Sequence, residues 1–455
     1  MRSIIIIASL LIAIISNAQQ KTLPLLKISS DKHHFQTSAG KPFFWLGDTG
    51  WLLFVKCNKE ETIQYLDTRQ QQGFNVIQVM VLHSLGVTNT NGDSALIKRN
   101  VAQPNIKPGA DNDYWDHVDF VVKEAAKRGI YMALVPVWGS NVKEGKVNRM
   151  QAESYAKFLA LRYRDQSNII WLNGGDLRGS DSLEVWKTIG KTLRKYDPRH
   201  LITFHPRGRY SSSDWFHNES WLDFNMFQSG HRTYAQDTTA SEKNHFGEDN
   251  WRYAKVDYAM KPAKPTMDGE PSYENIPHGL HDSLQPRWTA ADLRRYAYWS
   301  VLAGGAGFTY GENSVMQFHT SGDADANYGV ERGWKQTVNA TGASQMKYLR
   351  QLMEIYTNGD WQPAQEIIAD NHGVKYDYNI AAKGKKYALI YTYTGKPLKI
   401  DCSKLGFTIR RVTWFNPSTG NVQLVIAPEP GSGIVEMSPP GNPADGNDHV
   451  LILGG

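Results

Sequence analysis

The chain has 455 residues and a formal net charge of +5, with 41% hydrophobic and 21% charged residues. So small a positive excess without a basic run gives no reason to expect a nucleic-acid partner. Two cysteines far apart in sequence, Cys57 and Cys402, exclude a disulfide framework and a cysteine-based metal signature, while 14 Trp and 22 Tyr supply many flat apolar surfaces with a polar edge.

The chain opens on Met-Arg-Ser, an apolar core from Ile4 to Ile15, and Ser16-Asn17-Ala18. One positive charge, a short apolar core and a small-residue site predict a secretory signal over residues 1–18, cleaved after Ala18. The core is shorter than the roughly 20 residues that span a bilayer, so no membrane span is expected. No cysteine stands near the cleavage site to carry a lipid. An exported protein, periplasmic or extracellular, is the expectation.

Strand-like apolar runs then alternate with helical segments over residues 19–360. Pro42 to Gly47 is the first run and ends in Asp48-Thr49-Gly50-Trp51. Lys59 to Gln72 is helical and closes at Gly73, and Asn75 to Leu82 is the second strand, delivering His83. The polar stretch from Ser84 to about Asn112 is long for a plain connection and is read as a functional loop. Tyr114 to Arg128 is a helix stopped at Gly129, and Ile130 to Val137 is a third strand delivering Trp138. Gln151 to Arg164 is helical; Asn168 to Asp176 (Asn-Ile-Ile-Trp-Leu-Asn-Gly-Gly-Asp) is a fourth strand that ends in two glycines and a carboxylate.

Leu183 to Tyr196 is a helix ended by Asp197-Pro198. His200 to Phe204 delivers His205, Trp221 to Phe227 delivers Gln228, and, after a helix over Asp249 to Met260, Thr266 to Gly269 delivers Glu270. Thr289 to Leu302 is a helix with a Thr-x-x-Asp cap, Gly307 to Tyr310 an eighth strand and Gly342 to Tyr356 an eighth helix. Eight such units predict a (β/α)₈ TIM barrel. A doubly wound open sheet is the alternative, but the Gly-x-Gly-x-x-Gly loop that would mark it is absent after the first strand. From Trp361 onward, short strand-like runs (Tyr387 to Tyr393, Phe407 to Val412, Val422 to Ile426) between Gly, Asn, Pro and Ser predict a small antiparallel β-sandwich over 361–455, either a glycan-binding module or a structural brace.

Catalytic groups of such a barrel sit at the C-terminal ends of its strands. Those positions carry Asp48, His83, Trp138, Asp176, His205, Gln228, Glu270 and Tyr310. Two of them, Asp176 and Glu270, form the pair that glycosidic cleavage needs, one acid for the leaving oxygen and one carboxylate for the anomeric centre. Asp176 could instead cap the helix that follows. Asp268 is read as a supporting group lying deeper than Glu270, and Glu274 as a surface residue. Gly174 and Gly175 are read as leaving room for a sugar. Asp48, Trp51, His83, Trp138, Asn173, His205, Gln228 and Tyr310 are the candidate substrate contacts. No His-Glu-x-x-His spacing suggests a metal and no Gly-x-Ser-x-Gly elbow suggests a serine nucleophile, so no cofactor is expected.

Three motifs carry a resemblance: Phe43-Phe-Trp-Leu-Gly-Asp48-Thr-Gly-Trp51, Trp171-Leu-Asn-Gly-Gly-Asp176 and Asp268-Gly-Glu270-Pro-Ser-Tyr273. In this order they resemble the apiosidase-like glycoside hydrolases, family 140, and the segment after Trp361 resembles the domain with a collagen-binding label that follows the barrel there. Gly50 departs from the Ala usual in that family. The resemblance implies a retaining mechanism with Asp176 as general acid/base and Glu270 as nucleophile. It also implies action on apiose-linked side chains of the pectic polysaccharide rhamnogalacturonan II. A non-catalytic glycan-binding protein on the same scaffold, and an esterase or lyase of the same polysaccharide, are the competing expectations.

Overall fold

In the computed structural model the apolar runs form eight parallel strands: β1 (Trp45–Thr49), β2 (Val76–Met80), β3 (Tyr131–Val135), β4 (Ile169–Leu177), β5 (Ile202–Pro206), β6 (Asn225–Gln228), β7 (Thr266–Asp268) and β8 (Gly307–Tyr310). The structure describes residues 23–238, 244–357, 359–369, 371–431 and 433–455. The expected signal peptide, 1–18, lies outside the described residues.

The strands follow one another in sequence order, with β8 hydrogen-bonded back to β1 from Gly307↔Trp45 to Tyr310↔Asp48. Between β5 and β6 the ring is closed by the Asp223 amide, which donates to the Ile202 carbonyl at 2.8 Å, and by Thr203 Oγ1, which donates to the Phe224 carbonyl at 2.6 Å. The result is a (β/α)₈ barrel. Its helices are α1 (Lys59–Gln71), α2 (Tyr114–Lys127), α3 (Arg149–Tyr163), α4 (Leu183–Tyr196), a single turn α5 (Ser213–Phe216), α6 (Trp251–Ala259), α7 (Ala290–Leu302) and α8 (Thr341–Tyr356).

Side chains along each strand alternate between two apolar layers. On β3, Tyr131, Ala133 and Val135 join one core cluster while Met132 and Leu134 join the other; on β4, Ile170 and Leu172 separate in the same way from Ile169 and Trp171. With both faces covered, the strands read as near-continuous apolar runs. Each fully buried Leu, Ile or Val contributes roughly 1.5–3 kcal/mol over its exposed state. The helices start where their sequences ask them to: Asn58 with Glu61, Asn148 with Gln151 and Thr289 with Asp292 form reciprocal capping boxes at α1, α3 and α7.

The C-terminal segment forms a six-stranded antiparallel sheet, with β9 (Ile380–Lys383), β10 (Tyr387–Thr392), β11 (Arg411–Phe415), β12 (Val422–Val425) and β13 (His449–Gly454) among its strands, faced by a two-stranded sheet. The third strand lies at Arg411–Phe415 rather than over the expected Phe407 to Val412, and it pairs with β13 along its whole length. This domain is braced on α7. Arg294 reaches Asp448 at 2.7 Å with both side chains buried, Tyr298 stacks on Tyr391 at 4.9 Å, and Trp299 Nε1 donates to the Tyr378 carbonyl at 3.1 Å.

Candidate active site

At the C-terminal ends of the strands lies a cavity of about 630 Å³ lined by residues from both halves of the barrel. Trp51, His83, Trp138, Asp176, Gln228 and Glu270 all line it. Its upper walls come from the loops after β6, β7 and β8, which contribute His231, Tyr273, Leu280, His281 and Tyr328 among others. The long loop after β2, expected as a functional loop, supplies none of this cavity's lining beyond His83. That loop instead packs against the helices, with Val87, Ala95, Leu96 and Val101 buried in the outer apolar layer. None of the sandwich's described residues lines it either.

The end of β4 is built around a bulge. Its register against β5 shifts between Gly174 and Leu177, and Gly174, Gly175 and Asp176 take φ values of +96°, +120° and +51°. Only glycine takes such angles without strain, and two glycines in a row leave Asp176 as the single residue that bears it. A β-carbon on Gly174 would lie 2.7 Å from the Phe204 ring, and one on Gly175 2.7 Å from the Trp138 ring. The glycines therefore make room for those rings rather than for a sugar. The bulge turns Asp176 outward. Its carboxylate forms no hydrogen bond with the described residues, and it does not cap α4, whose N-cap position is Ser182.

Asp176 shows more than a third of its surface, yet that surface faces the cavity, and the surrounding protein still strips its water. Desolvation first and the Glu270 charge second push its carboxyl up to about 6, against the opposing pull of His205, His231 and Arg207.

Glu270 stands just past the end of β7 in the opposite environment. The Gly269 carbonyl accepts from Gln78 Nε2 at 2.6 Å across the barrel, and Asp268 accepts from Ser229 Oγ at 2.6 Å and Asn250 Nδ2 at 2.9 Å, tying the ends of β6 and β7 together. Asp268 thus has the supporting role expected of it. Burial alone would raise the Glu270 carboxyl, but two imidazoles outweigh it: His205 Nε2 lies 3.2 Å from Oε2 and His231 Nε2 3.2 Å from Oε1, and together they draw the carboxyl down to about 2. Trp51 Nε1 donates to Tyr273 Oη at 3.1 Å, and the Trp51, Trp138 and His205 rings pack together at 5.4–6.1 Å. Burial lowers the His83 imidazole below its ordinary range, which favours its neutral form.

Five positions sit elsewhere than the sequence suggested. Asp48 is fully buried, accepting from Tyr65 Oη at 2.5 Å and from Arg69 Nε at 2.6 Å, and is part of an ion pair sealed behind β1. Asn173 is fully buried and turned to the helix layer, where Nδ2 donates to the Trp186 carbonyl at 2.8 Å. Tyr310 is fully buried and donates to Glu274 Oε2 at 2.5 Å. Glu274 is not a surface residue: it is 5% exposed and also accepts from the Gly342 amide at 2.9 Å. His205 touches Glu270 from behind, with no surface of its own in the cavity. The residues missed were His231 and Tyr273. His231 follows Gln228-Ser-Gly, a turn directly after a strand end, which is the signal that could have found it.

Among the described residues no three His, Cys, Asp or Glu side chains are grouped as a metal site, and no helix is long and apolar enough to cross a membrane.

The chain is similar along nearly its whole length to solved structures. A protein described as a glycoside hydrolase shares 42% identity over 95% of this chain and 98% of its own, with a TM-score of 0.91. A glycoside hydrolase family 5 protein from Bacteroides vulgatus ATCC 8482 shares 40% identity over 95% of each chain, again with a TM-score of 0.91. A second protein from that organism, at 14% identity and a TM-score of 0.64 over 96% of this chain and 83% of its own, shares the fold alone. No curated protein sequence matches the chain. Residues 362–454 match the family described as "Putative collagen-binding domain of a collagenase", and residues 29–359 match the family described as "Apiosidase-like, catalytic domain". The chain, a glycoside hydrolase, belongs to the apiosidase-like family.

Proposed function

We propose that the protein is an exported retaining glycoside hydrolase that acts on a pectic plant cell-wall glycan, at apiosyl linkages of rhamnogalacturonan II. The observation that carries the mechanism is the divergence of two carboxyls across one cavity, Asp176 raised to about 6 and Glu270 lowered to about 2. Two titratable groups driven apart in this way supply an acid and an anion at the same pH.

Glu270, held ionised by two imidazoles, attacks the anomeric carbon while protonated Asp176 gives its proton to the departing oxygen. The resulting glycosyl ester on Glu270 is then opened by a water that Asp176, now ionised, deprotonates. Trp51 and Trp138 offer the apolar faces against which a sugar ring packs, and His83 and Gln228 offer polar edges to its hydroxyls. The family description supports the apiosyl linkage, and the apolar N-terminal segment supports export.

Incubation with rhamnogalacturonan II is expected to release free apiose, and proton NMR in the first minutes is expected to show the anomer with retained configuration. Release of the inverted anomer would exclude the covalent step, and absence of apiose would exclude the linkage.

A further inference from the structure

The loop after β8 forms part of the cavity wall, and its conformation is expensive at one point. Tyr328 takes φ +57° and is followed by Gly329 at the same angle. An aromatic residue rarely occupies this region, and it persists only where surroundings impose it. Here they do. The Tyr328 carbonyl accepts from Asn313 Nδ2 at 2.9 Å and the Gly329 carbonyl from Arg287 Nη2 at 2.7 Å. Asn327 is fastened on both its amide and its carbonyl to the Gln317 side chain, at 3.0 and 3.2 Å, and Lys56 from the β1 side reaches Asp325 at 2.7 Å.

All these tethers hold backbone or neighbouring residues and none holds the phenol. The Tyr328 ring lies half-buried in the cavity lining, 5.7 Å from the His281 ring, and its hydroxyl forms no hydrogen bond with the described residues. After desolvation, the charges that raise this hydroxyl are those of Glu270 and Asp176, so it stands in the field of both carboxylates.

We infer that Tyr328 is a substrate-contacting residue: its phenol donates a hydrogen bond to an oxygen of the sugar held between Asp176 and Glu270. A strained backbone fixed by four side chains presents one donor, with its acceptor left to the ligand. This role rests on the assignment of Asp176 and Glu270 as the reacting pair. A site that hydrogen-bonds a substrate hydroxyl rejects analogues lacking it, so Tyr328 also sets sugar specificity.

The test compares wild type, Tyr328→Phe, Tyr328→Ala and Glu270→Ala on one probe, a side-chain oligosaccharide of rhamnogalacturonan II. Tyr328→Phe is expected to lose about tenfold in kcat/KM, the loss of one hydrogen bond, with its thermal midpoint and both limbs of its pH profile unmoved. Tyr328→Ala is expected to lose more, through the missing ring. If Glu270→Ala is dead and Tyr328→Phe keeps wild-type kcat/KM, this inference falls and the carboxylate assignment stands. If the Phe variant loses activity with shifted pH limbs, the phenol acts on the carboxylates and the inference also falls. Activity retained by Glu270→Ala would overturn the carboxylate assignment itself.

Discussion

The ends of β1 and β4 carry the same residue type in the same kind of place, and the fold treats them in opposite ways. Asp48 at the end of β1 is answered by Arg69 and Tyr65 at 2.6 and 2.5 Å and shows no surface. Asp176 at the end of β4 is pushed into the cavity by a bulge and has no hydrogen-bond partner among the described residues. Glu270 on β7 lies between these extremes, buried yet gripped by two imidazoles. A strand end supplies a position; what pairs with the carboxylate decides whether it holds the barrel together or meets a ligand. A carboxylate sealed with its ion-pair partner is out of a ligand's reach, whereas an acid that faces a desolvated cavity is costly to the fold and useful to chemistry.

If this contrast is right, the two classes of carboxylate fail differently when removed. The largest effect is expected at Glu270: Glu270→Ala should lower kcat of the folded protein by at least about 10⁴-fold, as loss of a nucleophile does. Asp176→Asn comes next. It should cost roughly 10²–10⁴-fold on the natural glycan, and much less on an aryl glycoside whose leaving group needs no proton. Equal losses on both substrates would remove Asp176 from the acid role. At Asp48 the expected loss is in stability. Asp48→Ala leaves Arg69 buried without its carboxylate and should cost about 3–5 kcal/mol of unfolding free energy, while kcat of the molecules that remain folded stays near wild type. Replacing both partners by apolar residues of similar size should recover most of that loss; a catalytic defect in the folded double variant would place Asp48 in the site after all.

The same contrast explains what the sequence revealed and what it hid. The eight strands were legible because a barrel strand is buried on both faces and reads as an unbroken apolar run, as Ile169 to Leu172 does. The α1, α3 and α7 starts are encoded locally by their capping boxes. Asp176 and Glu270 were legible as strand-end carboxylates, but so was Asp48, and nothing near Asp48 announces Arg69, 21 residues on in α1. Asn173 and Tyr310 were misplaced for the same reason: their partners, the Trp186 carbonyl and Glu274, are 13 and 36 residues away. Periodicity fixes which strand a residue is on, and it says much less about the loops. His231 and Tyr273 lie on segments with no repeat to read, and their roles come only from where the barrel brings them.

The smallest expected effect concerns the grip on Glu270. Glu270 must be ionised to attack, and its lowered carboxyl keeps it so until the pH falls toward about 2; Asp176 must be protonated to act first, and its proton is lost as the pH rises through about 6. The wild-type kcat/KM profile should therefore hold between these limits and fall outside them, the two groups titrating as a coupled pair. His231 lowers both carboxyls. Removing the imidazole in His231→Gln should let both rise, so that the acid and alkaline limbs slide upward together. At a pH near 5 the change in rate is then only a few-fold, since Glu270 becomes partly protonated while Asp176 becomes more fully so. The stability of the fold should shift with the same sign. A depressed carboxyl stabilises the native state above its ordinary range and loses that contribution as pH falls through the depressed value, so weakening the grip narrows the difference. Measurement of kcat/KM from acid to neutral pH on the same oligosaccharide decides it. Limbs that stay in place would mean that His231 orients Glu270 without tuning it, and that the contrast between the two strand ends rests on burial rather than on charge.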